Sequence, residues 1–184
     1  DSRVGLTLAY VGGKVYAIGG RGPSAARIFV YDVANKSWSV AKVSNPDPRY
    51  SGAAVVVNNS IYLIGGNDGR GASSRVDILD VAHGTCSRGP ALPSPREGHV
   101  AVLVDGQIHV SGGQSISPPK SYSDHFAFDL KSDKWRTEAP LPTARHGSVA
   151  AGAHGNFIVV GGAPGAGVYT VFTSTDVVDI YSNN

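Results

Sequence analysis

The chain has 184 residues, of which 41% are apolar and only 16% charged, with 24 glycines. That composition is globular rather than disordered, and the length is enough to bury roughly 70% of the surface its unfolded form exposes. A net charge of +2 without any long Lys/Arg run argues against a nucleic-acid or membrane-surface stripe, and no apolar run approaches the ~18 residues of a membrane span.

The lone cysteine, Cys86, excludes an internal disulfide and leans towards a reducing, cytoplasmic setting. Methionine is absent even at position 1, and no charged-then-apolar leader opens the chain. The sequence therefore reads as a piece of something longer.

The first unit runs Gly5-Leu6-Thr7-Leu8-Ala9-Tyr10, a Gly12-Gly13 turn, then Val15-Tyr16-Ala17-Ile18. Two β-prone runs around a small-residue turn predict a hairpin. Asn58-Asn59, Asp105-Gly106 and His154-Gly155 occupy the same place in three further units. The second strands, such as Ile61-Tyr62-Leu63-Ile64 and Phe157-Ile158-Val159-Val160, are apolar on both faces, as strands buried between layers are. The first strands are rich in small residues, which suits strands converging on an axis. A third strand then ends in Tyr31-Asp32, Leu79-Asp80 or Phe128-Asp129, and a fourth carries Trp38, Cys86 or Trp135 six residues on. The fourth unit has a third strand at Val177–Ser182 and stops at Asn184 without a fourth.

Register ties the units together. Arg3, Arg49, Arg96 and Arg145 each stand 16 residues before a diglycine: Gly19-Gly20, Gly65-Gly66, Gly112-Gly113 and Gly161-Gly162. The arginines are 46, 47 and 49 residues apart. A fixed inner spacing with a drifting outer one means rigid units joined by variable loops. Four antiparallel strands per unit of this period predict β-propeller blades. Blades are expected at about 1–48, 49–95, 96–144 and 145–184.

Arginine, apolar hairpin, diglycine, Tyr-Asp and tryptophan together resemble the kelch repeat over the whole chain. Cys86 for tryptophan, Leu79 for the aromatic and Ser182 for aspartate depart from it. The resemblance implies an all-β propeller closing with six or seven blades, of which four are visible here. A self-contained four-bladed ring is the alternative.

In such a blade, the connection into the first strand and the loop between the second and third strands share one face. The candidate partner-binding residues there are Arg49, Tyr50, Asn67, Asp68, Arg70, Arg96, His99, Tyr122, Arg145, His146 and Tyr169. Guanidinium groups among aromatic rings suit an acidic or phosphorylated peptide. An arginine repeated at one register has an equally good structural role, bonding to carbonyls or to carboxylates of the adjacent blade. His109, in mid-strand, reads as a core substitute for tyrosine, and Cys86 as a buried thiol.

The resemblance implies a non-enzymatic protein-interaction module, such as the substrate-recognition part of a ubiquitin-ligase adaptor or a scaffold. No metal or other cofactor is expected. The alternative is a kelch-fold sugar mutarotase or oxidase, with Glu97, His99 and His146 beside Arg96 and Arg145 as acid/base groups. The oxidase chemistry needs a channel cysteine, and Cys86 falls on an outer strand.

Overall fold

The computed structural model describes residues 2–45 and 47–182. Each unit folds as an antiparallel meander in sequence order. Blade 1 comprises β1 (Thr7–Val11), β2 (Lys14–Ile18), β3 (Phe29–Asp32) and β4 (Ser37–Val40). Blade 2 comprises β5 (Ala53–Val57), β6 (Ser60–Ile64), β7 (Val76–Asp80) and β8 (Thr85–Gly89). In blade 3, β9 (Val100–Val104) and β10 (Gln107–Ser111) are followed by a small hairpin, β11 (Gln114–Ile116) and β12 (Pro119–Ser121). The sheet then resumes with β13 (His125–Asp129) and β14 (Lys134–Glu138). Blade 4 has β15 (Val149–Ala153), β16 (Asn156–Val160), a 3-10 helix (Gly167–Phe172) and β17 (Val178–Ser182). The expectation about the chain beyond Ser182 lies outside the described residues.

The hairpin turns fall where the small polar residues predicted them. Gly12-Gly13, Asp105-Gly106 and His154-Gly155 take positive φ at both residues, the tight-turn geometry these residue types tolerate. The β11–β12 hairpin and the 3-10 helix lie inside loops that looked irregular, because neither carries a repeat-wide pattern.

The innermost strands β1, β5, β9 and β15 pack in succession. A side chain at Gly152 would come within 2.9 Å of the Leu103 carbonyl oxygen, which explains the small residues there. The core lies between blades rather than within them. One apolar cluster joins Val11, Ile18 and Ile28 of blade 1 to Ile61 and Leu79 of blade 2. A second joins Ile64 and Leu92 to Ile108 and Phe128. A third joins Val104 and Leu141 to Phe157 and Val159.

The diglycines are stitches between blades. The N–H of the second glycine donates to the carbonyl of the next blade's arginine: Gly20 to Arg49, Gly66 to Arg96 and Gly113 to Arg145, each at 2.9 Å. The first glycine, at φ +67° in Gly112, packs so closely that an added Cβ would stand 2.6 Å from the Arg145 carbonyl oxygen. A second ladder runs from Ser51 N–H to Gly5 O, from Gly98 N–H to Ser51 O and from Gly147 N–H to Gly98 O.

The outer tryptophans lean on their own blade's aromatic, Trp38 on Tyr31 and Trp135 on Phe128, with ring centroids 5.1 and 5.0 Å apart. Trp135 also reaches the preceding blade, donating Nε1–H to the Pro90 carbonyl at 3.0 Å. Trp38 has no such partner among the described residues and is 62% exposed. Cys86 lies opposite Leu79 and is half-buried, less enclosed than expected, and burial raises its thiol pKa.

Candidate functional site

The repeated arginines turn inward. Arg96 and Arg145 are fully buried and Arg49 is 8% exposed. Arg49 Nε–H donates to Gly65 O at 2.6 Å, and Arg96 Nη1 donates to Gly112 O at 2.8 Å. Arg3 Nη1 does the same to Gly19 O at 3.0 Å, so in these three units the spacing of 16 is the reach of one guanidinium to its own diglycine, whereas Arg145 bonds to Thr143 O at 3.3 Å and Gly161 O accepts from Ser148 instead.

Each of the three later arginines also meets a carboxylate of its own blade. Arg49 pairs with Asp77 at 2.8 Å, Arg96 with Asp124 at 3.2 Å and Arg145 with Asp179 at 2.6 Å. Arg96 further lies between the rings of Tyr122 and Phe126, 5.0 and 4.7 Å from their centroids. Arg49, Arg96 and Arg145, expected as ligand contacts, are thus occupied by carbonyls and carboxylates of their own blades. The half-buried ring of Tyr122 is engaged with Arg96.

His99 and His146 are also buried. His99 fills the interface between blades 2 and 3 against Gly65, and burial with Arg96 and Arg49 nearby lowers its pKa to about 3. His146 is held through Nε2 by Gly165 O at 2.8 Å and Thr170 Oγ1 at 3.1 Å. Glu97 is sealed, with neither carboxylate oxygen hydrogen-bonded or exposed. Burial raises its pKa, opposed by the Asn67 amide and His146. The acid/base groups of the enzyme alternative therefore lie beneath the surface. Among the described residues, no cluster of three His, Cys, Asp or Glu is placed to hold a metal, and no helix is long and apolar enough to cross a membrane.

The remaining candidates frame an open groove across blades 1 and 2. One cleft of about 270 Å³ is lined by Asp47, Arg49, Asp68, Arg70, Ser73 and Arg75. A second of about 300 Å³ is lined by Gly20, Arg21, Ala25, Tyr50, Asp68 and Gly69. They share Pro48 and Asp68.

Charges in this groove are unevenly committed. Asp68 Oδ1 accepts from the N–H of Arg70 at 2.8 Å, which with the Gly71 N–H holds its carboxyl below the usual range. Arg75 is tied to Asp47 and, at 2.9 Å, to Asp77. Arg21 and Arg70 are exposed and form no ion pair among the described residues. Asn67 is buried, pairing with Tyr50 through the backbone and turning its side-chain oxygen to the Gly69 N–H at 2.8 Å. Tyr169 lies across the face on the 3-10 helix, 62% exposed.

The structure thus brings Tyr50, Asn67, Asp68 and Arg70 together and leaves Tyr169 apart. Arg21 and Arg75 are not among the residues that sequence reasoning singles out, although Arg70, equally outside the register of Arg3, Arg49, Arg96 and Arg145, is. Standing outside that register does not by itself free a side chain: Arg75 is tied to Asp47 and Asp77, whereas Arg21 forms no ion pair among the described residues.

Residues 5–183 match the model of the KLHDC2/KLHL20/DRC7 Kelch-repeats domain. The chain is 32% identical to the Kelch-like protein terF of Aspergillus terreus over 86% of its length, covering 38% of that protein. It is 34% identical to an F-box/kelch-repeat protein of Arabidopsis thaliana over 60% of its length, covering 26% of that protein. It is 29% identical to Beta-scruin of Limulus polyphemus over 95% of its length, covering 21% of that protein. The chain therefore spans well under half the length of these relatives. A family model matched over nearly every residue, together with four antiparallel blades stitched through diglycines, shows that the chain belongs to the kelch-repeat β-propeller family.

Proposed function

We propose that this propeller segment is a protein-docking module whose groove over blades 1 and 2 receives an acidic or phosphorylated peptide. The observation that carries the reading is the pair of exposed, uncommitted guanidinium groups, Arg21 and Arg70, in a groove containing Tyr50. Guanidinium pairs bidentately with carboxylate or phosphate, and tyrosine adds apolar contact at small entropic cost. The kelch relatives, one of them named for an F-box, favour a docking role over catalysis. Adaptor service for a ubiquitin ligase is the form of that role we favour.

The ends of the arc support a further part of the reading. Leu8 and Tyr10 on blade 1 are 59% and 62% exposed, and Val178 and Ile180 on blade 4 are 53% and 61% exposed. The equivalent positions of blades 2 and 3 are buried or half-buried, except for Leu103, which is 39% exposed. Further blades, or a partner chain, cover these ends in the working protein.

An array of peptides in acidic, phosphorylated and neutral versions tests the docking role. Phosphorylated and acidic spots are expected to retain the protein, with retention falling at least tenfold in Arg21→Ala/Arg70→Ala. Retention indifferent to peptide charge, or unchanged in the double variant, contradicts it.

A further inference from the structure

Blade 3 departs from its neighbours at four facing positions. In blades 1, 2 and 4, the middle of the second strand holds Tyr16, Tyr62 and Ile158, opposite Val30, Ile78 and Ile180. Blade 3 has His109 opposite Ala127. Two residues along, blades 2 and 4 pair Ile64 with Val76 and Val160 with Val178, whereas blade 3 pairs Ser111 with His125. Large apolar side chains are thus replaced together by two imidazoles and the small residues that make room for them.

The two rings are 3% and 2% exposed and bonded to each other, His109 Nδ1 to His125 Nε2 at 2.9 Å. His125 Nδ1 lies 3.2 Å from the Ala139 carbonyl. A carbonyl only accepts, so His125 carries its proton on Nδ1 and accepts at Nε2. His109 therefore donates from Nδ1, and its Nε2 is a bare lone pair with no partner. The pair is complete while both rings are neutral, and His109 Nε2 is the one place where a proton adds without breaking a hydrogen bond.

The pair forms one wall of a cavity of about 110 Å³ between blades 3 and 4, with Val104, Glu138, Phe157 and Tyr181 as other walls. Blade 4 contacts the pair through aromatic rings, Phe157 at 5.0 Å and Tyr181 at 4.8 Å from the His125 centroid. We infer that the contact between blades 3 and 4 is a proton-operated joint, closed while the histidine pair is neutral and loosened when the pair takes up a proton. A cation created there is cut off from water, both rings being buried, and that desolvation cost outweighs the attraction of the aromatic faces, so hydration favours blade 4 moving away.

The neighbouring groups are divided. Glu138 on β14 and Asp105 in the β9–β10 turn favour the proton, and Arg136 on β14 opposes it. From β17, Tyr181 stays a neutral phenol, its pKa pushed up to about 12 by burial. Burial is the leading effect on both histidines, and it takes His125 down to about 4. A histidine pKa lowered on folding means that the unfolded chain binds more protons, so stability is lost as pH falls below about 6.5 and continues to fall until the folded pKa is reached.

The test compares unfolding equilibria of the purified protein and of His109→Tyr/His125→Val, residues the chain itself uses at these positions, between pH 7.5 and 4.5. Hydrogen-exchange protection factors are followed strand by strand over the same range. From neutral pH to pH 4.5, the wild-type unfolding constant is expected to rise on the order of 100-fold more than the variant's. Protection in β15 and β16 should be lost before protection in β5 and β6. Parallel pH curves, or loss of protection in all blades together, overturn the inference. Should the double variant not fold, histidine ring signals of the wild type decide. His125 is expected to titrate near pH 4 and His109 below the ordinary histidine value, and titration of both rings near pH 6.5 overturns the joint.

Discussion

Arg49, Arg96 and Arg145 show how a repeated residue is read at the residue scale. Their spacing to the diglycines was legible in the sequence, but its cause was not. A guanidinium that bonds inward and one that waits for a ligand leave the same letter at the same register. Burial and the partner carboxylates Asp77, Asp124 and Asp179 separate the two, and those carboxylates lie 28, 28 and 34 residues beyond their arginines, a spacing that only two of the blades share. Trp135 is legible in the same partial way. Its place in the repeat marked it, but its bond to Pro90 of the preceding blade depends on how blades stack. Trp135→Phe keeps the contact with Phe128 and removes that bond, leaving a carbonyl unmatched. A loss of about 1 kcal/mol is expected by chemical denaturation. A variant as stable as the wild type would show the bond to be dispensable.

At the scale of the element, the hairpins were the most legible part. Paired apolar runs, turn residues of the right kind and a constant length all pointed one way, and the four hairpins formed where expected. The β11–β12 hairpin and the 3-10 helix were illegible because they belong to single loops and repeat nowhere. In the sequence the diglycines mark the register, and in the structure they are also the bond between blades. Gly112→Ala tests this directly. It places a Cβ in a left-handed backbone, 2.6 Å from the Arg145 carbonyl oxygen, and forces blades 3 and 4 apart. The conformational strain and the displaced contact together cost about 3 kcal/mol. A melting temperature within a degree of wild type would contradict the stitch.

At the scale of the whole molecule, blades are thin sheets that become stable by lending their faces to one another. That sharing leaves the outer faces of the first and last blades apolar. The sequence carried this in the repetition of one apolar pattern in units that differ in surroundings. A polypeptide of these 184 residues alone is expected to associate through Leu8 and Ile180. Light scattering should give a mass above that of one chain, returning to one chain in Leu8→Lys/Ile180→Lys. A monomeric wild-type segment would show that the ends need no cover.

The division of labour among arginines joins these scales, with Arg49 holding the blade and Arg70 facing outward. The most direct measurement is the denaturation midpoint of Arg49→Ala beside that of Arg70→Ala. Removing Arg49 leaves Asp77, itself 2% exposed, short of its closest cation and strips two backbone carbonyls of donors. A loss of about 3 kcal/mol is expected for Arg49→Ala, against less than about 0.5 kcal/mol for Arg70→Ala. Equal midpoints for the two variants would contradict the account, returning Arg49 to the surface where a partner could use it.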